Sequence, residues 1–240
     1  MHITNKTILI TGANRGIGRA LVDEALARGA KKVYAGTRAA LQHPDKRVTP
    51  LTLDVTSASQ IQRAAGKVDT LDLLINNAGV AIYDDLSNLA VIEQHLKVNF
   101  VGLLQVTNAL LPLLRRSNGA VVNNLSLAAL AALPVVPGYS ISKAAAANLT
   151  QSLRALLAGQ GVSVHAVFLG PVDTDMNRGF DIPKASPEMA AQGIFDGLEN
   201  GDEDIFPDPA SRSVAEAWRN GVTKGLEREF AAFVPVRASA

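Results

Sequence analysis

Cysteine is absent from the 240 residues, which removes disulfides, thiolate metal sites and a cysteine nucleophile together. Histidine is scarce: His2, His43, His95 and His165 lie far apart, with no ligand-like spacing, so no metal site is expected. Charge of one sign is also lacking. Lys plus Arg number 23 against 22 Asp plus Glu, a net +1, which argues against nucleic-acid and membrane partners. The longest small-apolar run, Leu127 to Val136, is too short for a bilayer and contains Pro134. A secretory leader is not expected either, because the first apolar strand begins almost at the N-terminus and runs into a glycine-rich turn. The expected setting is the cytoplasm.

What the chain does have is small apolar residues in abundance. Hydrophobic residues make up 48% of it, enough for a large core. The length suits one α/β domain spanning 1–240 rather than two. Short buried-type runs alternate with helical patterns: Thr7–Ile10, Lys32–Ala35, Val48–Leu53, Leu71–Ile75, Ala120–Leu125 and Val162–Leu169 read as strands. Apolar residues at helical spacing run from Asn88 to Leu114, and an alanine-rich helix from Tyr139 to Leu157 closes at Gly159 and Gly161. Ser186 and Asp208, each followed by proline, read as caps of two further helices, with Ile205-Phe206 as a short last strand between them. This alternation predicts a doubly wound Rossmann-type fold: a mostly parallel sheet of about seven strands with helices on both faces. Residues 175–200 would form a substrate loop and helix, and 205–240 a C-terminal strand and helix. Ligands of such sheets gather beyond the carboxyl ends of the strands, where Gly12, Asp54, Asn76, Ser126 and Gly170 fall.

Two stretches carry chemistry. In Thr11-Gly12-Ala13-Asn14-Arg15-Gly16-Ile17-Gly18, glycines between a strand and a helix permit close approach of a pyrophosphate to the helix N-terminus. At the end of the second strand, where an acidic residue would hold the ribose of NAD, Arg38 stands instead. With Arg15 it could clamp a 2′-phosphate, so NADP(H) is the expected cofactor. The second stretch is Tyr139-Ser140-Ile141-Ser142-Lys143, preceded by Ser126. Tyrosine and lysine four apart share a helix face, and a nearby ammonium favours the phenolate. A phenol so tuned could exchange a proton with a substrate oxygen near neutral pH, with Ser126 as second hydroxyl. Asn77 reads as a structural bridge between strands. Asn99, a lone amide on an apolar stripe, reads equally well as a locally bonded core residue.

With these residues in hand, the chain resembles the short-chain dehydrogenase/reductase family from Thr7 to about Thr174. TGANRGIG, NNAG, a serine before YSISK, and GPVDT occur in the family's order. The resemblance implies that Tyr139 is general acid in ketone reduction, that Lys143 holds the nicotinamide ribose and lowers the tyrosine pKa, and that Ser126 bonds the substrate oxygen. Asn99 would hold a water in a proton relay reaching Lys143. Gly12, Gly16 and Gly18 would line the pyrophosphate, Asp54 and Val55 meet the adenine, Asn76 the adenosine side, and Val172 and Thr174 the carboxamide. Asn14, Ile17, Ala78, Gly79, Gly170 and Pro171 complete the expected cofactor set. Leu127, Leu133, Met176 and Phe180 are the expected pocket, suited to a hydrophobic ketone or aldehyde or its alcohol. Three positions depart from the family's habit: Leu125, Leu169, and a long helical ending after Phe206. A homodimer or homotetramer through the Leu89–Leu114 and Tyr139–Leu157 helices is implied. The competing readings are an NAD-linked alcohol dehydrogenase and a non-catalytic NADP sensor.

Overall fold

The computed structural model describes residues 1–234; the final part of the expected C-terminal segment, 235–240, lies outside them. Strands β1 (Thr7–Thr11), β2 (Lys32–Thr37), β3 (Val48–Thr52), β4 (Leu73–Asn76), β5 (Ala120–Asn124), β6 (Ser163–Val167) and β7 (Asp204–Ile205) form one sheet. Its order is β3-β2-β1-β4-β5-β6-β7, with every pairing parallel. The chain winds outward from β1 to β3, then returns to place β4 on the other flank of β1. That reversal opens a crevice beyond the carboxyl ends of β1 and β4.

β1, β4 and β5 are buried at every position, which is why their apolar residues run consecutively rather than alternating, with polar residues only at the strand ends. Alternate residues still choose opposite faces. Ile8 and Ile10 pack with Leu21 and Val22 of α1 (Gly16–Ala27) and with Ile194 and Phe195 of α6 (Pro187–Asn200). Leu9 and Leu74 pack the other way, against Val106, Leu110 and Leu114 of α4 (Leu103–Ser117) and Leu153 of α5 (Pro137–Ala158). A third cluster, Phe168, Phe206 and Trp218, seats α7 (Pro209–Arg219). The helical stretch Leu89–Ser117 is long and apolar enough to cross a bilayer, but its α4 portion lays three leucine and valine side chains into the sheet's core.

Two expected helices differ in detail. The one expected from Asn88 to Leu114 is α3 (Leu89–Leu96), a π-helical turn at Lys97–Gly102, then α4. Asn99 lies inside that wider turn. The long final helix is two, α7 and α8 (Val222–Ala231), divided at Asn220-Gly221, a dipeptide that favours turns. Both expected caps are present: the Ser186 hydroxyl accepts from Met189 N, and Asp208 forms a capping box with Ser211. The remaining short helix, α2 (Ala58–Ala65), is capped by Ser57.

Candidate active site

The glycine turn is shaped by close approach. Gly12 has φ +68, and a Cβ on Gly18 would overlap the Gly12 carbonyl oxygen. α1 begins at Gly16 with no side-chain cap, whereas α2, α6 and α7 are closed by Ser57, Ser186 and Asp208. Its first-turn amides are therefore free to receive an anion. Asn14 and Arg15 are exposed at the rim, and Ile17 packs onto the core beneath.

The carboxyl ends of the central strands are tied together by side chains. Thr11 Oγ accepts from the main-chain N–H of Asn77 and Ala78, both at 3.0 Å. Asn77 Nδ2 donates to Thr11 O at 3.0 Å, and Asn124 Nδ2 donates to Asn77 Oδ1 at 2.9 Å. Asn77 is thus a bridge between strands, as read from its position. Asn76 differs from expectation. Its side chain turns into the helix-covered face of the sheet and donates to Thr107 and Asn123, each at 2.9 Å. Alternation along β4 sends it away from the crevice, so only its main chain is left for an adenosine.

Where the resemblance would set the adenosine, Asp54 accepts from Thr56 N and Oγ, bonds that hold its carboxyl below the usual range; Arg38 and Lys97 add to this. Val55 is buried against Gly102. Arg38 is exposed and makes no ion pair among the described residues. Arg15 is already occupied: its guanidinium bonds Asp175 across the crevice at 2.9 Å, and Arg178 takes the other oxygen of that carboxylate.

Beyond β6, Gly170 N donates to Asp208 at 2.9 Å, and Pro171 O accepts from Ala185 N. Val172 is buried and paired with Ala185, closing the base of a loop over 174–184. The Thr174 methyl reaches the glycine turn, 3.0 Å from where a Cβ on Gly16 would lie. These residues face α1 across the crevice.

α5 starts with Pro137 in its first turn and carries Tyr139, Ser142 and Lys143 toward the ends of β4 and β5. Lys143 is 7% exposed; its ammonium donates to Asn124 O at 2.8 Å and meets no carboxylate among the described residues. Burial pushes its pKa down to about 8. The ammonium lies 5.7 Å from the centre of the Tyr139 ring, and the Ser126 hydroxyl adjoins the phenol. The phenol's pKa moves opposite to expectation. Burial raises it, and the Ser126 hydrogen bond offsets only part of the rise. The Lys143 ammonium, 5.7 Å from the ring centre, does not reverse this.

Asn99 is buried, and both its N–H bonds are spent on Val80 O and Ser142 Oγ, each at 2.9 Å, while Oδ1 accepts from Val80 N. Its amide shapes the loop after β4 rather than touching Lys143. The expected pocket residues divide. Leu127 packs onto the Phe168 cluster, Leu133 and Met176 are exposed, and Phe180 stacks on Tyr83 with centroids 5.6 Å apart. The sequence reading missed Tyr83, Asp84 and His95. His95 is fully buried and edge-on to Tyr139 at 6.3 Å. Its signal was available: it precedes Asn99 by one helical turn.

A family described as short chain dehydrogenase matches residues 6–184. The ketoacyl reductase HetN of Nostoc sp. is 30% identical over 82% of this chain and 77% of its own length. The 2-(S)-hydroxypropyl-CoM dehydrogenase 3 of Xanthobacter autotrophicus is 32% identical over 80% and 82%. A solved short chain dehydrogenase of Burkholderia cenocepacia in complex with NADP superposes with a TM-score of 0.87 at 34% identity, covering 98% of this chain and 100% of that one.

Proposed function

The chain belongs to the short-chain dehydrogenase/reductase family of oxidoreductases, and from that premise we propose that it reduces a ketone or aldehyde with NADPH. The cofactor assignment is supported by the fit of the crevice to a phosphorylated dinucleotide. The uncapped start of α1 and the glycine cradle suit its pyrophosphate, and Arg38, exposed and in no ion pair among the described residues, suits a 2′-phosphate. The Burkholderia cenocepacia relative carries NADP. When bound, the nicotinamide supplies a hydride.

The chain's own residues handle the oxygen. Ser126 and Tyr139 donate hydrogen bonds to the substrate carbonyl, and Tyr139 gives up its phenolic proton as charge builds there. The observation that carries this reading is the convergence of Ser126, Tyr139 and a buried, carboxylate-free Lys143 at the end of the crevice. Burial favours the protonated phenol, the form that donates to a carbonyl oxygen. Lys143 would neutralise the phenolate that remains until a proton returns.

A panel of ketones and aldehydes assayed with both cofactors tests the proposal. Consumption of NADPH well above that of NADH is the expected result. A strong NADH preference would refute the 2′-phosphate argument, and tight NADPH binding without turnover of any carbonyl would favour a sensor.

A further inference from the structure

The segment that follows β4 is stitched down at every second residue. Val80 exchanges both main-chain bonds with Asn99, Ile82 N donates to His95 Nε2 at 2.9 Å, and the Asp84 carboxylate accepts from Gly138 N at 3.1 Å. Asn99 and His95 sit one turn apart on a single helix face, so an extended chain lies along that face with alternate residues engaged. Gly138 leaves the space this needs. A Cβ there would sit 3.0 Å from both Asp84 Oδ2 and His95 Nδ1.

Tyr83 lies between two pinned positions and so points away from the helix, with its side chain 64% exposed. Its neighbours on either side, Ile82 and Asp84, are bonded to His95 and Gly138, the two residues flanking Tyr139. Tyr83 therefore stands at the mouth of the Ser126–Tyr139 site. The ring that covers it, Phe180, comes from the opposite side: it stacks at 5.6 Å and 19° from within the loop 174–184. That loop is tied at its base by the Val172–Ala185 pairing, and Gly179, with φ +90 and open space around it, precedes Phe180. Both rings stand on loops: the Tyr83 loop is pinned through the residues on either side of it, and the Phe180 loop is tied at its base and at Asp175.

We propose that Tyr83 is a specificity-determining residue: a fixed aromatic platform that takes the aryl group of an aryl ketone or aldehyde once Phe180 moves aside. This rests on the carbonyl-reduction reading above. Phe180 shows the binding mode, since it occupies the platform in the parallel-offset geometry an aryl substrate would adopt.

The test compares methyl phenyl ketone with its saturated counterpart, cyclohexyl methyl ketone, under NADPH. Conjugation makes the aryl ketone intrinsically less reactive, so the informative quantity is the change in the aryl-to-cyclohexyl ratio of kcat/KM between variants, in which reactivity cancels. Tyr83→Ala should lower that ratio by about two- to tenfold, the range a stacked aromatic pair contributes. Tyr83→Phe should restore it. Phe180→Ala should raise kcat/KM for both ketones and leave the ratio in place. Thermal melts of each variant check that the exposed substitutions leave the fold intact. A ratio unchanged in Tyr83→Ala overturns the platform while leaving carbonyl reduction standing. Turnover of neither ketone by the wild type, with no NADPH consumed, removes both.

Discussion

Among the described residues two lysines are buried, and they behave in opposite ways. Lys143, at the crevice, is 7% exposed and has only the Asn124 carbonyl for company; burial draws its pKa down to about 8. Lys224, on α8, is 2% exposed and sits among Glu203, Asp204 and Glu227 at 2.9–3.0 Å. Burial would lower its pKa too, but the carboxylates outweigh that and raise it. Arg154 joins the same cluster through Asp204 and Glu227, and Trp218 donates to Asp204. The region around Lys224 is electrostatically complete and pins α8 to β7 and α5. The region around Lys143 is left short of one negative charge. A fold keeps a desolvated, unbalanced cation where a ligand or a transient anion completes it.

The comparison breaks if the two lysines respond alike to removal. Lys143→Met should lower turnover by about 10²–10⁴-fold, the range of a positioned acid–base group, while the urea unfolding midpoint stays level or rises because a desolvated charge has gone. Lys224→Met should do the reverse. It leaves Asp204 and Glu227 sharing Arg154 alone, which costs roughly 3–5 kcal/mol of stability, with turnover per folded molecule unchanged. Equal destabilisation by both substitutions would make Lys143 a structural residue.

Alkaline titration sharpens the contrast. Lys143 has a folded pKa of about 8 against an ordinary value of 10.5. Between those values the unfolded chain binds more protons, so stability rises with pH there. Below about 8 the charged form is present in both states and its desolvation cost is felt in full. Lys224 is shifted upward, so its contribution is complete below 10.5 and is lost only as pH climbs through its raised value. The unfolding free energy of wild type minus that of Lys143→Met, followed by urea unfolding from pH 7 to 10.5, should therefore climb, by on the order of 1–3 kcal/mol. A flat difference would mean that Lys143 is not desolvated.

How much of this was legible beforehand depended on how local each signal is. The glycine turn, the strand ends and the Tyr139–Lys143 spacing are written within a few residues of one another, and the parallel sheet followed from strands alternating with helices. The Lys224 cluster was not legible, because Arg154, Asp204 and Glu227 come from three separate elements and look like ordinary surface charges in sequence. The direction of the Asn76 side chain was not legible for a different reason. A residue at the last position of a buried strand can face either side, and its neighbours, being apolar throughout, carry no alternation to decide it. The π-helical turn hid Asn99's partners, since an ordinary helical register would not have set it against Val80 and Ser142. The Tyr139 pKa was expected to fall because charge proximity was weighed and burial was not.

The smallest effects carry the same logic to the surface. Arg38 is exposed beside Asp54 and makes no ion pair among the described residues, whereas Arg15 is spent on Asp175. If an unbalanced charge marks a waiting ligand, Arg38→Asp should weaken NADPH binding by about tenfold, measured by fluorescence titration, and leave NADH binding nearly unchanged. Arg15 must first leave Asp175, so the gain from a 2′-phosphate is partly cancelled there. Asp175→Asn removes the competitor. It should tighten NADPH by about two- to fivefold, the scale of an exposed ion pair, and the gain should fade as salt is raised. An equal loss of affinity for both cofactors would instead mean that Asp175 serves to hold its loop against α1, and that the cation it occupies is not in competition for phosphate at all.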